Sequence, residues 1–184
     1  MAAEQAKGKD EAKNKWPPII NLSEAGGYYF EIGSAELSND FKVALTEKVA
    51  PKILQIASEY PDVDVIEVIG HTDEQPIKRR YSNLDSTVID VEKTGNVASL
   101  VPADNAGLGI ARAVAVVTRL LQDSRLQERF PRILPMSGAQ LIQVDQTLSQ
   151  GSVGDVRERR RIEIRLRKYE KSGPDIATQG GLSK

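Results

Sequence analysis

Residues 63–73 read Val63-Asp64-Val65-Ile66-Glu67-Val68-Ile69-Gly70-His71-Thr72-Asp73, and this stretch decides the fold. From Val63 to Gly70 it is β-branched and largely apolar, the pattern of a buried strand. Such a strand needs cover, and periodic segments on either side supply it. Upstream, Phe41, Leu45, Val49, Ile53 and Ile56 recur at helical spacing behind the capping residue Ser38. Pro51 falls inside that run, where a missing amide and a ring clash predict a bend, and Pro61-Asp62 ends it. Downstream, Leu108, Ala111, Val114, Val117 and Leu121 place an apolar stripe on a helix from about Asn105 to Leu121.

Working outward, Trp16-Pro17-Pro18 starts the ordered part, and residues 28–32 predict a short strand that Gly33 to Glu36 turn into the first helix. Ser124 to Phe130 read as a short helical extension, Pro131 to Met136 as a short strand, and Ser137 to Val144 fit either helix or loop. In Arg160 to Arg167, Ile162, Ile164 and Leu166 alternate with Arg161, Glu163, Arg165 and Arg167, which predicts a strand with one wet face. Residues 74–104 are polar without sustained period and read as a long loop with room for one short helix. Residues 1–15 read as a flexible leader and 171–184 as a disordered tail, leaving one domain over 16–170. The element order gives an α+β fold: a two-layer α/β sandwich with helices on one face of a mixed four-stranded sheet.

Composition narrows the functional classes. The chain of 184 residues holds 25 Lys plus Arg against 26 Asp plus Glu, a balance that argues against a protein that coats nucleic acid. With no cysteine there is no disulfide framework, thiolate nucleophile or Cys-ligated metal. No stretch approaches the ~18 consecutive apolar residues of a membrane span, the longest run near a helix being Ala113 to Val117. Met1 to Asp10 show neither a signal-peptide apolar region nor a lipid-accepting Cys, so a native anchor would lie outside this sequence. A start of Met1-Ala2-Ala3 before charged residues fits a chain cut just after one.

Several chemical signals have bland readings. Gly107-Leu108-Gly109 opens a near miss to a dinucleotide fingerprint, but Arg112 stands where the third Gly belongs and no strand precedes it. His71 is the only histidine, and no serine elbow accompanies it. It reads as a turn-stabilising residue at a strand end, and the chain as a non-enzyme without metal or cofactor. Asn21-Leu22-Ser23 matches a glycosylation sequon that occurs too often by chance to use. The cluster from Arg157 to Lys168 has the composition to bind phosphate backbone, yet Glu158 and Glu163 dilute it. Arg160 is sharper. It shares strand parity with Ile162 and Ile164, so its side chain leaves the sheet on the helix-covered side, where it needs an anion.

Gly70-His71-Thr72-Asp73 after the buried strand, Asn105-Ala-Gly-Leu108-Gly-Ile-Ala-Arg112-Ala113 opening the second helix, and Arg160-Arg161-Ile162-Glu163-Ile164 on the late strand stand in order. Together they resemble the OmpA C-terminal-like family of peptidoglycan-binding domains found in OmpA, Pal and MotB. Phe30-Glu-Ile-Gly-Ser34-Ala-Glu-Leu37 is similar to that family's first strand and turn, and the likeness covers roughly residues 28–168. The Pro17-Pro18 lead-in and the helix before Gly70-His71-Thr72-Asp73 look most like the MotB branch.

The resemblance implies non-catalytic binding of the diaminopimelate of a peptidoglycan stem peptide, in the periplasm or cell envelope, by a module that ties a membrane protein or complex to the wall. Its ligand pair would be Asp73 for the ammonium and Arg112 for the carboxylate, with Asn105, Thr72, Leu108 and Arg160 completing the pocket. Asn83 is a second candidate for the pocket Asn, and register with Arg112 favours Asn105. Relatives often dimerise, which makes a homodimer an expectation. Three departures stand out: residues about 78–104 look like an insertion beside the pocket, Gly109 replaces the usual Ser, and Arg159 stands where Asn is common. The alternative is a protein-interaction or oligomerisation module in which Asp73 and Arg112 merely pair to tie a loop to a helix.

Overall fold

The computed structural model describes residues 16–30, 33–79, 81–151, 154–171 and 173. The expected leader, and the expected tail apart from Lys171 and Gly173, lie outside them. The decisive strand is β2 (Val65–His71). It lies between β4 (Arg161–Arg167), which runs antiparallel to it, and β3 (Arg132–Ala139), which runs parallel. Strand β1 (Ile20–Ser23) pairs antiparallel with the outer side of β4, so the order is β1-β4-β2-β3. A parallel pair needs a long crossover. Here it carries α3 (Leu84–Thr94), α4 (Asn105–Leu120) and α5 (Ser124–Arg129).

The first helical arm starts where the Ser38 hydroxyl accepts the Phe41 amide at 3.2 Å. It runs as α1 (Asn39–Ala44), a π-helical segment (Leu45–Val49) and α2 (Ala50–Glu59). The irregularity expected at Pro51 is therefore a widened turn just before it, where the Ala50 amide donates back to the Leu45 carbonyl and the helix runs on through the proline as α2. Phe41, Leu45, Val49, Ile53 and Ile56 are all buried. They meet Ile66, Val68, Ile162 and Ile164 of the sheet and Ala111, Val114 and Val117 of α4 in one core. The helices thus cover one face of a mixed four-stranded sheet.

Two glycines set the distance between α4 and the sheet. A Cβ on Gly70 would sit 2.0 Å from the Gly109 carbonyl oxygen, and one on Gly109 would sit 2.3 Å from the Ser137 hydroxyl. The Ser137 hydroxyl instead donates to the Ala106 carbonyl at 2.8 Å. The serine expected at 109 has no room, and the hydroxyl at this crossing comes from β3.

Four expectations need correction. The first strand is not at 28–32: β1 lies upstream, and Phe30 makes only an isolated bridge to Leu37 while 31–32 lie outside the described residues. Ile20 and Leu22 alternate into the core with Asn21 and Ser23 outward, a pattern too short to read, whereas Tyr28 and Phe30 owe their apolar character to edge packing on Phe41 at 5.2 Å. The polar stretch 74–104 does hold the one helix it had room for, but α3 is eleven residues long rather than short, and Val91 and Leu100 of the stretch are buried. The strand expected to end at Met136 continues to Ala139. Finally, the wet face of β4 is dry at its start, for Arg161 and Glu163 are 2% and 1% exposed. They are roofed from the 140–149 segment, where the Gln143 carbonyl accepts from Arg161 at 3.0 Å and Gln146 donates to Glu163 at 2.9 Å.

Candidate functional site

Strand β2 delivers Thr72 and Asp73 to the end of the sheet where α4 begins. The Asp104 carboxylate caps α4 by accepting the Gly107 amide at 2.7 Å. Asn105, Leu108 and Arg112 then follow at intervals of three and four, one above the other on one helix face. Arg160 immediately precedes β4. These six residues, all expected from the sequence, line a single cavity of about 620 Å³. Lys78 and Arg79, at the start of the stretch expected beside the pocket, share its walls, and so do Glu24, Tyr29, Phe30, Asp155 and Arg157, which the sequence does not single out for the pocket.

Arg112 lies at the bottom of the electrostatic problem. It is only 4% exposed, its Nε donates to the Ser34 carbonyl at 3.1 Å, and its guanidinium stands 4.7 Å from the Phe30 ring centre. Among the described residues no carboxylate lies within ion-pair distance of it. Burial pushes its guanidinium down to about 10, with Glu24 and Asp73 opposing that and Arg160 adding to it. It stays charged at neutral pH, held in a desolvated place with no ion-pair partner among the described residues.

Asp73 is engaged differently. Its Oδ1 accepts the Gln75 amide at 3.2 Å, an Asx turn that shapes the exit from β2, and its Oδ2 accepts from Arg160 and from the Val156 amide at 3.4 Å. Arg160 also holds Glu24 at 2.6 Å and contacts Asp155, so one guanidinium gathers three carboxylates. Burial opposes its charge, but those three contacts more than compensate and hold it above the usual arginine range. The strand parity of Arg160 correctly placed it on the helix-covered side, and its anions come from the protein itself. The simple alternative, an Asp73–Arg112 ion pair, does not form. The Asp is paired to Arg160 and the two share the cavity unjoined.

The remaining candidates sort cleanly. Asn105 Nδ2 donates to the Gln75 carbonyl at 3.0 Å, tying the segment after Asp73 to the helix start. The Thr72 hydroxyl is buried without a hydrogen-bond partner among the described residues. Asn83 is elsewhere: it donates to the Ser99 carbonyl and accepts the Val101 amide, both at 2.7 Å, and clasps the two ends of the α3 segment. Arg159 is buried outside the cavity wall against Glu74 at 2.9 Å. His71 faces away from the cavity, under the 140–149 segment, with Nε2 3.6 Å from Glu163 and Gly138 against its ring. It packs rather than stabilising a turn. The arginines of β4 are not a free cationic face, since Arg161 and Arg165 pair with Glu163 and Arg167 with Glu67. Among the described residues no group of His, Asp and Glu is placed to hold a metal ion, and no helix is long and apolar enough to cross a membrane.

Glu24 and Asp155 were illegible for a definite reason. Glu24 reaches the cavity only because β1 ends at Ser23, and that strand was assigned elsewhere. Asp155 sits in a segment with no periodicity to anchor it.

No family model and no curated protein matches this sequence. Among solved structures, a MotB-like protein from Desulfovibrio vulgaris aligns over 82% of this chain and 75% of its own, at 15% identity and a TM-score of 0.49. The periplasmic domain of Helicobacter pylori MotB aligns over 84% and 82%, at 17% identity and 0.48. A MotB periplasmic domain covering its residues 64–256 aligns over 83% of this chain and 64% of that one, at 18% identity and 0.50. At such identities the likeness is one of fold: the chain shares the two-layer architecture of the MotB periplasmic domain of residues 64–256 and spans less than two thirds of that particular chain.

Proposed function

We propose that this domain binds peptidoglycan through the diaminopimelate of the stem peptide and thereby anchors a membrane protein or complex to the cell wall, from the periplasmic side of the envelope. The observation that carries the reading is Arg112, a buried guanidinium without a carboxylate partner among the described residues, lining the same cavity as Asp73. The free end of diaminopimelate presents an ammonium and a carboxylate on one carbon. Arg112 offers a forked donor to the carboxylate, and Asp73, already shared with Arg160, retains acceptor capacity for the ammonium. Asn105 and Asp104 fix the start of α4, so the forked donor is held before the ligand arrives. The fold shared with the MotB periplasmic domain agrees with this reading.

The test is co-sedimentation with purified sacculi, followed by calorimetric titration with a diaminopimelate stem peptide and its lysine analogue, which lacks the second ammonium–carboxylate centre. Asp73→Ala and Arg112→Gln should each weaken binding about 10- to 100-fold, the scale of one lost charge-assisted contact, with the circular dichroism spectrum unchanged. Wild-type-like sedimentation of either variant would remove the proposed pocket.

A further inference from the structure

Among the described residues, arginines without an ion-pair partner gather at this cavity. Most described arginines are ion-paired within the chain; Arg79, Arg112, Arg119, Arg129 and Arg157 make no such pair among the described residues, and three of these five line the cavity. Lys78 lines it too and is likewise without an ion pair. Its described walls carry five cations against three carboxylates, and Arg160 already consumes Glu24, Asp73 and Asp155.

The surplus has a location. Arg112 is buried at the start of the site, whereas Lys78, Arg79 and Arg157 are exposed at its rim. Arg79 is held there by a hydrogen bond from its Nη2 to the Gly33 carbonyl at 2.9 Å, which links the segment after Asp73 to the turn across the cavity. An ammonium on Asp73 and a carboxylate on Arg112 would add no net charge and leave these rim cations unanswered.

We infer that Lys78, Arg79 and Arg157 form a second anion subsite, which takes a further free carboxylate of the same peptide. The inference rests on the function proposed above and deepens it: the preferred ligand is an acidic peptide whose carboxylates beyond the ammonium–carboxylate centre are free rather than amidated. Solvent weakens each rim contact, so the subsite acts as a selector among related peptides, and its influence falls as salt rises.

Two synthetic stem peptides test it, identical except that one has every carboxylate outside the diaminopimelate ammonium–carboxylate centre converted to a primary amide. Each is titrated calorimetrically into the chain and into the double variant Lys78→Gln, Arg157→Gln, whose exposed positions leave the core untouched. The free-carboxylate peptide should bind the unaltered chain about fivefold more tightly, the scale of two or three exposed ion pairs, and the preference should disappear in the variant. Equal binding of both peptides would overturn the rim subsite while leaving the Asp73 and Arg112 pocket in place. A preference that survives in the variant would assign the discrimination to other residues and overturn the subsite as well. Failure of both peptides to bind the unaltered chain would overturn the parent reading and this one with it.

Discussion

Glu163 shows how one residue can be misjudged from its type and position alone. On an alternating strand it reads as a solvent-facing charge, yet its carboxylate is surrounded by Arg161, Arg165, Gln146 and His71 and is nearly inaccessible. Burial raises its carboxyl, and the contacts with His71, Arg165, Gln146 and Arg161 more than reverse that, holding it well below the ordinary carboxylate range. Folded, the group binds fewer protons than the unfolded chain does around the ordinary glutamate value of about 4.3, so its stabilisation is complete above that value. It is lost as pH falls through the folded one. Glu163→Gln leaves Arg161 buried without its counterion and should cost about 3–5 kcal/mol at pH 7. Urea melts of the two proteins should converge as the pH is lowered below about 4. A constant gap down to acid pH would show that the carboxylate charge is not what matters.

At the level of elements, α3 changes the meaning of the 78–104 stretch. Residues that look inserted between Asp73 and Arg112 contribute Val91 and Leu100 to the core and lay Leu84 and Val88 against it. Deleting 79–103 would therefore open the core rather than remove an appendage. The finer probe is Asn83, whose side chain joins the two ends of the segment. Asn83→Ala should cost about 1–3 kcal/mol through two unpaired backbone groups, with hydrogen-exchange protection falling across 84–101 while β2 and β4 keep theirs. Uniform loss of protection would mean that α3 is not separable from the rest. Long periodic elements were legible: α4 matches its expected span within a residue, and β2 and β4 were found where their patterns put them. Elements of four residues, such as β1, carry too few apolar positions for a period. The roof over Arg161 is a matter of tertiary contact that no local pattern on β4 encodes. The six candidate residues were legible as neighbours in one cavity because they belong to or flank strong elements; Glu24 and Asp155 reach the same place from weak ones.

Across the whole molecule, the cavity is assembled from distant parts of the chain. Arg160 bonds to Glu24 across 136 positions and to Asp73 across 87, so the pocket exists only once β1, β2 and β4 are all seated. Glu24 directly follows β1 and Arg160 directly precedes β4, which puts the cavity at the Ser23 end of that strand pair, while Ile20 and Ile164 meet at the far end. This arrangement has a mechanical consequence. Tension between the N-terminal side of β1 and an object held in the cavity runs lengthwise along β1, so its hydrogen bonds to β4 share the load in shear. Tension between the N-terminal side of β1 and the C-terminal side of β4 enters at one end and peels the same bonds apart in turn. Optical-tweezer pulling should therefore give a higher rupture force with handles at residues 16 and 155 than with handles at 16 and 171. A domain stretched by its load along the first direction would hold where the same hydrogen bonds, pulled along the second, would unzip.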